Sequence, residues 1–173
     1  KRDGINHFSI FTANLDINAH GAVISSTAVR EALLRGDVEE AVSMLGHPYL
    51  VIAEHITGVR EGTRLGFPTL NYRQLSSEKV VPPPGVYAAE LQIGAQVVRG
   101  ALYYGNCPTF ENRDFHFEIH VFDTAPPAVK PGERGAIWIR KFIRRDRGFA
   151  SPRALTEQIQ KDIEAIQQFF AEE

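Results

Sequence analysis

Gly85-Val86-Tyr87-Ala88-Ala89-Glu90-Leu91-Gln92-Ile93-Gly94-Ala95-Gln96-Val97-Val98-Arg99-Gly100-Ala101-Leu102-Tyr103-Tyr104 is two β-prone runs broken once, after Ile93. A glycine at the first of two loop positions supplies the positive φ that a tight hairpin needs. The spacing therefore predicts two antiparallel strands, Gly85 to Ile93 and Gln96 to Tyr104. In front of them, Pro82-Pro83-Pro84 can donate nothing to a ladder and marks a stiff loop entering a strand. Three more stretches of the same composition follow the pattern: Tyr49 to Ile56, Phe115 to Asp123 and Gly135 to Ile143. Five or more antiparallel strands with Gly/Pro-rich joins predict a mainly β domain, a small barrel or a sandwich.

Working outward, the period changes. Val29, Leu33, Leu34, Val38, Ala41, Val42 and Leu45 recur at helical spacing, interrupted at Gly36, which predicts two short helices. Asp37 followed by Glu40 suggests a capping box for the second, and Gly46 with Pro48 suggests its end. Ser25-Ser26-Thr27 suits a helix cap. Further upstream, Phe8 to Ala13 suits one strand and Asn14 to Gly21 a loop. At the other end Ser151 and Pro152 suit the start of a helix whose stripe is Leu155, Ile159, Ile163, Ile166 and Phe170. That stripe is expected against the strands, with Glu157 and Lys161 spaced for a surface ion pair.

Composition narrows the function classes. With 19 basic against 21 acidic side chains the formal charge is −2, so no general attraction to nucleic acid or anionic lipid is expected. The single cysteine, Cys107, excludes an internal disulfide and a Cys-rich zinc site, and a cytoplasmic setting is the expectation. No apolar run approaches the roughly 20 residues of a membrane helix.

Two segments carry residue types suited to chemistry. In Ile56 to Tyr72, Gly58, Gly62 and Gly66 leave backbone amides uncovered beside Arg60 and Arg64, a composition able to cradle an anion. It lacks the Gly-Lys-Ser/Thr ending of a Walker loop, and such glycine spacing is common in ordinary loops. Thr69 and Asn71, two apart on extended backbone, point a hydroxyl and an amide oxygen the same way, and both are hard ligands of the kind Mg²⁺ accepts beside phosphate. In Phe115 to Asp123, alternation sets Phe115, Phe117, Ile119 and Val121 on one face and His116, Glu118, His120 and Phe122 on the other. Glu118 there has the chemistry of a general base toward an alcohol. A solvated face is the ordinary reading of such a residue, and a metal site of His116, Glu118 and His120 is disfavoured because same-face neighbours splay about 7 Å apart. Arg140, Lys141, Arg144, Arg145 and Arg147 form a basic run that is either a phosphate contact or a solvated patch.

Gly66-Phe67-Pro68-Thr69-Leu70-Asn71 resembles the Gly-Phe-Pro-Thr-Ala-Asn signature of riboflavin kinases. Other parts follow in matching order: Pro-Pro-Gly-Val-Tyr at 83 to 87, Gly-x-x-Pro-Thr-Phe at 105 to 110, Glu-x-His at 118 to 120 and Phe-Ile-Arg at 142 to 144. The resemblance implies a six-stranded antiparallel Greek-key barrel with a C-terminal helix, over residues 47–173, and Mg-ATP-dependent phosphorylation of riboflavin to FMN. It implies Glu118 as base, Thr69 and Asn71 toward Mg²⁺ and the ATP phosphates, and Gly58, Gly62, Arg64, Gly66, Phe67 and Pro68 around the nucleotide. The segment from Arg144 to Phe149 would help form the flavin pocket. Residues 24 to 30, Ile-Ser-Ser-Thr-Ala-Val-Arg, resemble the motif ending the adenylyltransferase half of bacterial bifunctional FAD synthetases. By that likeness residues 1–46, a strand plus two short helices, are the end of such a domain, and the chain is part of a larger polypeptide. The His-x-Gly-His motif of that half does not occur here, so FMN adenylylation is not expected from this chain.

Leu70 stands where the family usually has Ala, Tyr103 where Asn is common, and Asn106-Cys107 where Thr-Arg precedes Pro-Thr-Phe. A flavin-binding domain with weakened catalysis, and a nucleic-acid-binding β-barrel, are the two other readings these residues allow.

Overall fold

The computed structural model describes residues 24–58, 61–106, 115–122 and 126–173. The strand expected at Phe8 to Ala13, and Cys107, lie outside them. Helices α1 (Ser26–Arg35) and α2 (Val38–Leu45) precede β1 (Tyr49–Ile56), the single turn α3 (Glu61–Arg64) and β2 (Leu70–Gln74). Strands β3 (Gly85–Ile93), β4 (Gln96–Asn106), β5 (Phe115–Val121) and β6 (Arg134–Arg145) follow, then α4 (Pro152–Glu172).

The six strands close into a barrel in the order β1-β2-β5-β4-β3-β6, every pair antiparallel, with β6 returning to β1. Strands β3, β4 and β5 follow one another as neighbours while β2 lies beside β5, so the β2–β3 connection crosses the barrel end in Greek-key fashion. The β3–β4 ladder runs unbroken to Ile93↔Gln96, which makes Gly94-Ala95 the two-residue turn its composition predicts. Strand β2 is absent from the periodicity reading because it is only five residues long, with Arg73 and Gln74 polar. It was expected only through the family resemblance.

Alternation fills the interior: Val51, Ala53, Tyr72, Tyr87, Leu91, Leu102, Phe117, Ile119, Ile137 and Ile139 are buried in one cluster. The α1–α2 pair joins the same cluster through Ala32, Leu33, Val38, Ala41 and Met44. Ser25 caps α1, accepting from the Ala28 N–H at 3.1 Å, and left-handed Gly36 and Gly46 end the two helices. The capping box expected at Asp37 and Glu40 does not form. Both carboxylates instead take the Arg35 guanidinium, at 2.9 and 3.0 Å, a charge-assisted contact that outcompetes a bond to a backbone amide.

Outside the barrel, Ile163, Ile166 and Phe170 of α4 pack on Val86, Ala88 and Phe122. Strand β3 is thereby covered on both faces, which explains its run of buried residues from Gly85 to Ala89. Glu157 pairs one turn back with Arg153 at 2.9 Å rather than forward with Lys161. The forking donors of arginine suit a carboxylate better than an ammonium does.

Tyr72 carries a testable cost. Its ring is fully buried, and among the described residues its hydroxyl has no hydrogen-bond partner. Burial, helped by the nearby Glu133 carboxylate, pushes the phenol up to about 12. The unfolded chain therefore sheds this proton first as pH rises, so the contribution of Tyr72 to stability is intact below about pH 10 and is lost toward pH 12. Tyr72→Phe is expected to raise stability at pH 7 by about 1 kcal/mol and to move the alkaline unfolding limb upward. Urea midpoints at pH 7 and pH 11 check both; a lower midpoint in the variant at pH 7 refutes the account.

Candidate active site

The wall of the site is the outer face of β2, β5 and β4. Antiparallel register sets Asn71 opposite Glu118, and Glu118 opposite Tyr103. Directly opposed residues share a face. Thr69, two residues before Asn71, is on that face too, and its hydroxyl donates to Glu118 Oε2 at 3.3 Å. The other carboxylate oxygen, Oε1, lies 3.1 Å from His116 Nε2.

The loop from β1 to β2 forms a second side. Phe67 N–H bonds back to the Gly62 carbonyl at 2.7 Å, and Gly66 takes the left-handed φ of +89° that this tight return requires. His120 Nδ1 meets the Pro68 carbonyl at 2.9 Å and fastens the loop to β5. Asn71 is 7% exposed and lies beneath Gly58, where an added side-chain carbon would come within 2.6 Å of the Asn71 amide carbon. Only a glycine lets the loop pass this close.

The third side is built by β6 and α4. Arg144 clasps Asp162 through Nε, at 3.0 and 2.9 Å, and through Nη2 at 2.8 Å, with the aspartate 4% exposed. Gln158 donates to the same carboxylate at 2.8 Å. The guanidinium carbons of Arg144 and Arg147 stand 5.5 and 5.2 Å from the Phe149 ring. Between these three sides is a cavity of about 300 Å³, with Phe67, Thr69, Tyr103, Glu118, Arg144 and Phe149 on its wall.

Of the residues singled out from the sequence, Gly62, Phe67, Thr69, Glu118 and Arg144 meet at this cavity. Gly58 and Asn71 form the layer just behind Thr69, while Gly66 and Pro68 shape the loop. Arg64 is exposed at the end of α3. The metal triad is not formed: His120 faces Pro68, and among the described residues no three His, Cys, Asp or Glu converge. Nor does the basic run act as one patch. Arg140 pairs with Glu90 and Glu173, Arg144 with Asp162, and Arg147 with Gln158.

Asp162 escaped the sequence reading. Its signal was its place at the Leu155, Ile159, Asp162, Ile166 spacing, an acid on the apolar stripe of α4. A charge there needs a buried partner.

The chemistry of the donors fits Mg²⁺. The Thr69 hydroxyl and the Asn71 amide are neutral, hard oxygen ligands, and a cation that keeps waters and phosphate oxygens needs only one or two protein ligands. Gly58 passes directly against the Asn71 amide, which keeps that side chain in place beside Thr69.

A family model described as Flavokinase, riboflavin kinase, matches residues 45–170. The bifunctional riboflavin kinase/FMN adenylyltransferase of Bacillus subtilis (strain 168) is 38% identical over 151 residues, 86% of this chain and 47% of that protein. Its counterpart from Escherichia coli (strain K12) is 36% identical over 154 residues, 87% of this chain and 47% of that protein. The chain thus spans about half the length of these curated relatives. A crystal structure titled a macrolide-efflux protein from Streptococcus pneumoniae superposes with a TM-score of 0.78 at 30% identity, covering 88% of this chain and 49% of that one. Among the described residues, no helix is long and apolar enough to cross a membrane.

Proposed function

The chain belongs to the riboflavin kinase family, and on that premise we propose that it transfers the γ-phosphoryl group of Mg-ATP to the 5′-hydroxyl of riboflavin, giving FMN and ADP. The observation that carries this reading is the contact of Thr69 with Glu118 at 3.3 Å on the wall of one shared cavity. A base for an alcohol and an oxygen ligand for a phosphate-bound cation are thereby within one bond of each other.

Glu118 takes the proton of the flavin hydroxyl as that oxygen bonds to the γ-phosphorus and the bond to the β–γ bridging oxygen breaks. ADP leaves with the electron pair of that bond. Thr69 and Asn71 are the residues that would hold Mg²⁺, which supplies charge neutralisation to the phosphates. The loop that carries Gly58, Gly62, Gly66, Phe67 and Pro68, with Arg64 at its exposed side, lies over the nucleotide, where glycine backbone suits close approach to phosphate oxygens. Arg144 and Phe149 offer a flat cationic and aromatic wall to the flavin ring system. Arg144 serves there as a fixed surface, since Asp162 already holds its guanidinium.

Incubation with riboflavin, ATP and Mg²⁺, followed by separation of the flavins, is expected to give FMN without FAD. Riboflavin recovered unchanged, though bound, would instead identify a flavin-binding domain that has lost catalysis. We further propose that the chain works as one part of a bifunctional polypeptide of the length of its relatives.

A further inference from the structure

His116 is 2% exposed, and its Nε2 is 3.1 Å from Glu118 Oε1. It faces outward from the barrel, on the same side of β5 as Glu118, and opposite Gly105 in the β4–β5 ladder. An added side-chain carbon at Gly105 would collide with the Tyr103 ring and hydroxyl. The Tyr103 ring therefore lies over Gly105, roofing the strip of sheet beside His116, while Tyr103 itself opposes Glu118. An imidazole shut away in this manner, touching the carboxylate that borders the cavity beside Thr69, does more than fill space.

We propose that His116 is a positioning residue for Glu118, a role that rests on the phosphotransfer reading above. An ionised carboxylate only accepts hydrogen bonds, so the contact requires the proton on His116 Nε2. The two oxygens of Glu118 are then divided between two donors: Oε1 is fixed by His116, and Oε2 receives the Thr69 hydroxyl. Two donors, one on β5 and one in the loop leading into β2, stop the side chain rotating about its last torsion, which is broad and soft for glutamate. Oε2, beside Thr69 on the cavity wall, is the oxygen that takes the incoming proton. A base held in this way meets the alcohol in one orientation, and misplacement by about 1 Å costs on the order of a hundredfold in rate.

The test uses two polar substitutions of similar bulk. The Gln amide nitrogen can occupy the position of His Nε2, whereas the Asn amide ends at the position of Nδ1 and does not reach Glu118. His116→Gln is expected to keep kcat within about threefold, and His116→Asn to lower it about ten- to hundred-fold, with KM for riboflavin and ATP little changed. Placed in a Glu118→Gln background, His116→Asn should cost nothing further, because the group it orients is gone. Equal kcat in the two His116 variants, an equal loss in both backgrounds, or a loss carried by KM overturns the role of His116. Absence of FMN from the unsubstituted chain is a separate result, and it overturns the kinase reading itself.

Discussion

Glu118→Gln is expected to lower the rate of FMN formation by roughly two to four powers of ten while leaving nucleotide and flavin binding nearly intact. The amide keeps the shape of the carboxylate, so Thr69 and the walls of the cavity stay where they are. What disappears is the capacity to accept the proton of the flavin hydroxyl. Single-turnover FMN formation, set beside riboflavin binding followed by fluorescence, separates the two effects. Unchanged turnover in the variant would remove Glu118 as base; lost binding would make it a substrate ligand instead.

Asp162→Ala should be the most damaging change outside the reacting groups, destabilising the fold by about 3–5 kcal/mol. The Arg144 side chain is 18% exposed and the Asp162 side chain 5%, so removing the carboxylate strands a guanidinium largely out of water. Gln158 loses its acceptor in the same step. The double substitution Arg144→Met with Asp162→Leu should recover most of this loss, because no charge is then left without a partner. Urea midpoints for the two proteins measure the difference. A single variant as stable as the parent would mean that Arg144 reaches solvent with ease. The double variant also tests the site, since it removes the flat cationic surface proposed for the flavin while keeping the fold.

The parts of the fold legible in the sequence were those set by local chemistry. Gly94-Ala95 determines a turn type, and Ser151-Pro152 begins a helix, whatever lies around them. Strand β2 was not legible, because five residues of mixed polarity acquire strand geometry only from β1 and β5 on either side. The Asp37–Glu40 box failed for a related reason: Arg35, turned back by the left-handed Gly36, offered those carboxylates a better donor than the backbone did. At the site, alternation put Glu118 and the two histidines on one face but could not say what that face meets. The contact with Thr69, 49 residues earlier, depends on a ladder between strands far apart in sequence. The grip of Arg144 on Asp162 depends on how α4 lies across the barrel.

Closure of the barrel by β6 against β1 also sets an order of events during synthesis. The pairing Tyr49↔Ile139 joins residues 90 apart, so the first strand leaves the ribosome long before its last neighbour exists. Until residues 134–145 emerge, β1 and β3 each present an open hydrogen-bonding edge, an invitation to pair with other chains. Nascent chains stopped short of Arg134 should therefore depend on chaperones, and the cavity beside Glu118, whose third side includes α4, is completed only when the final helix folds down.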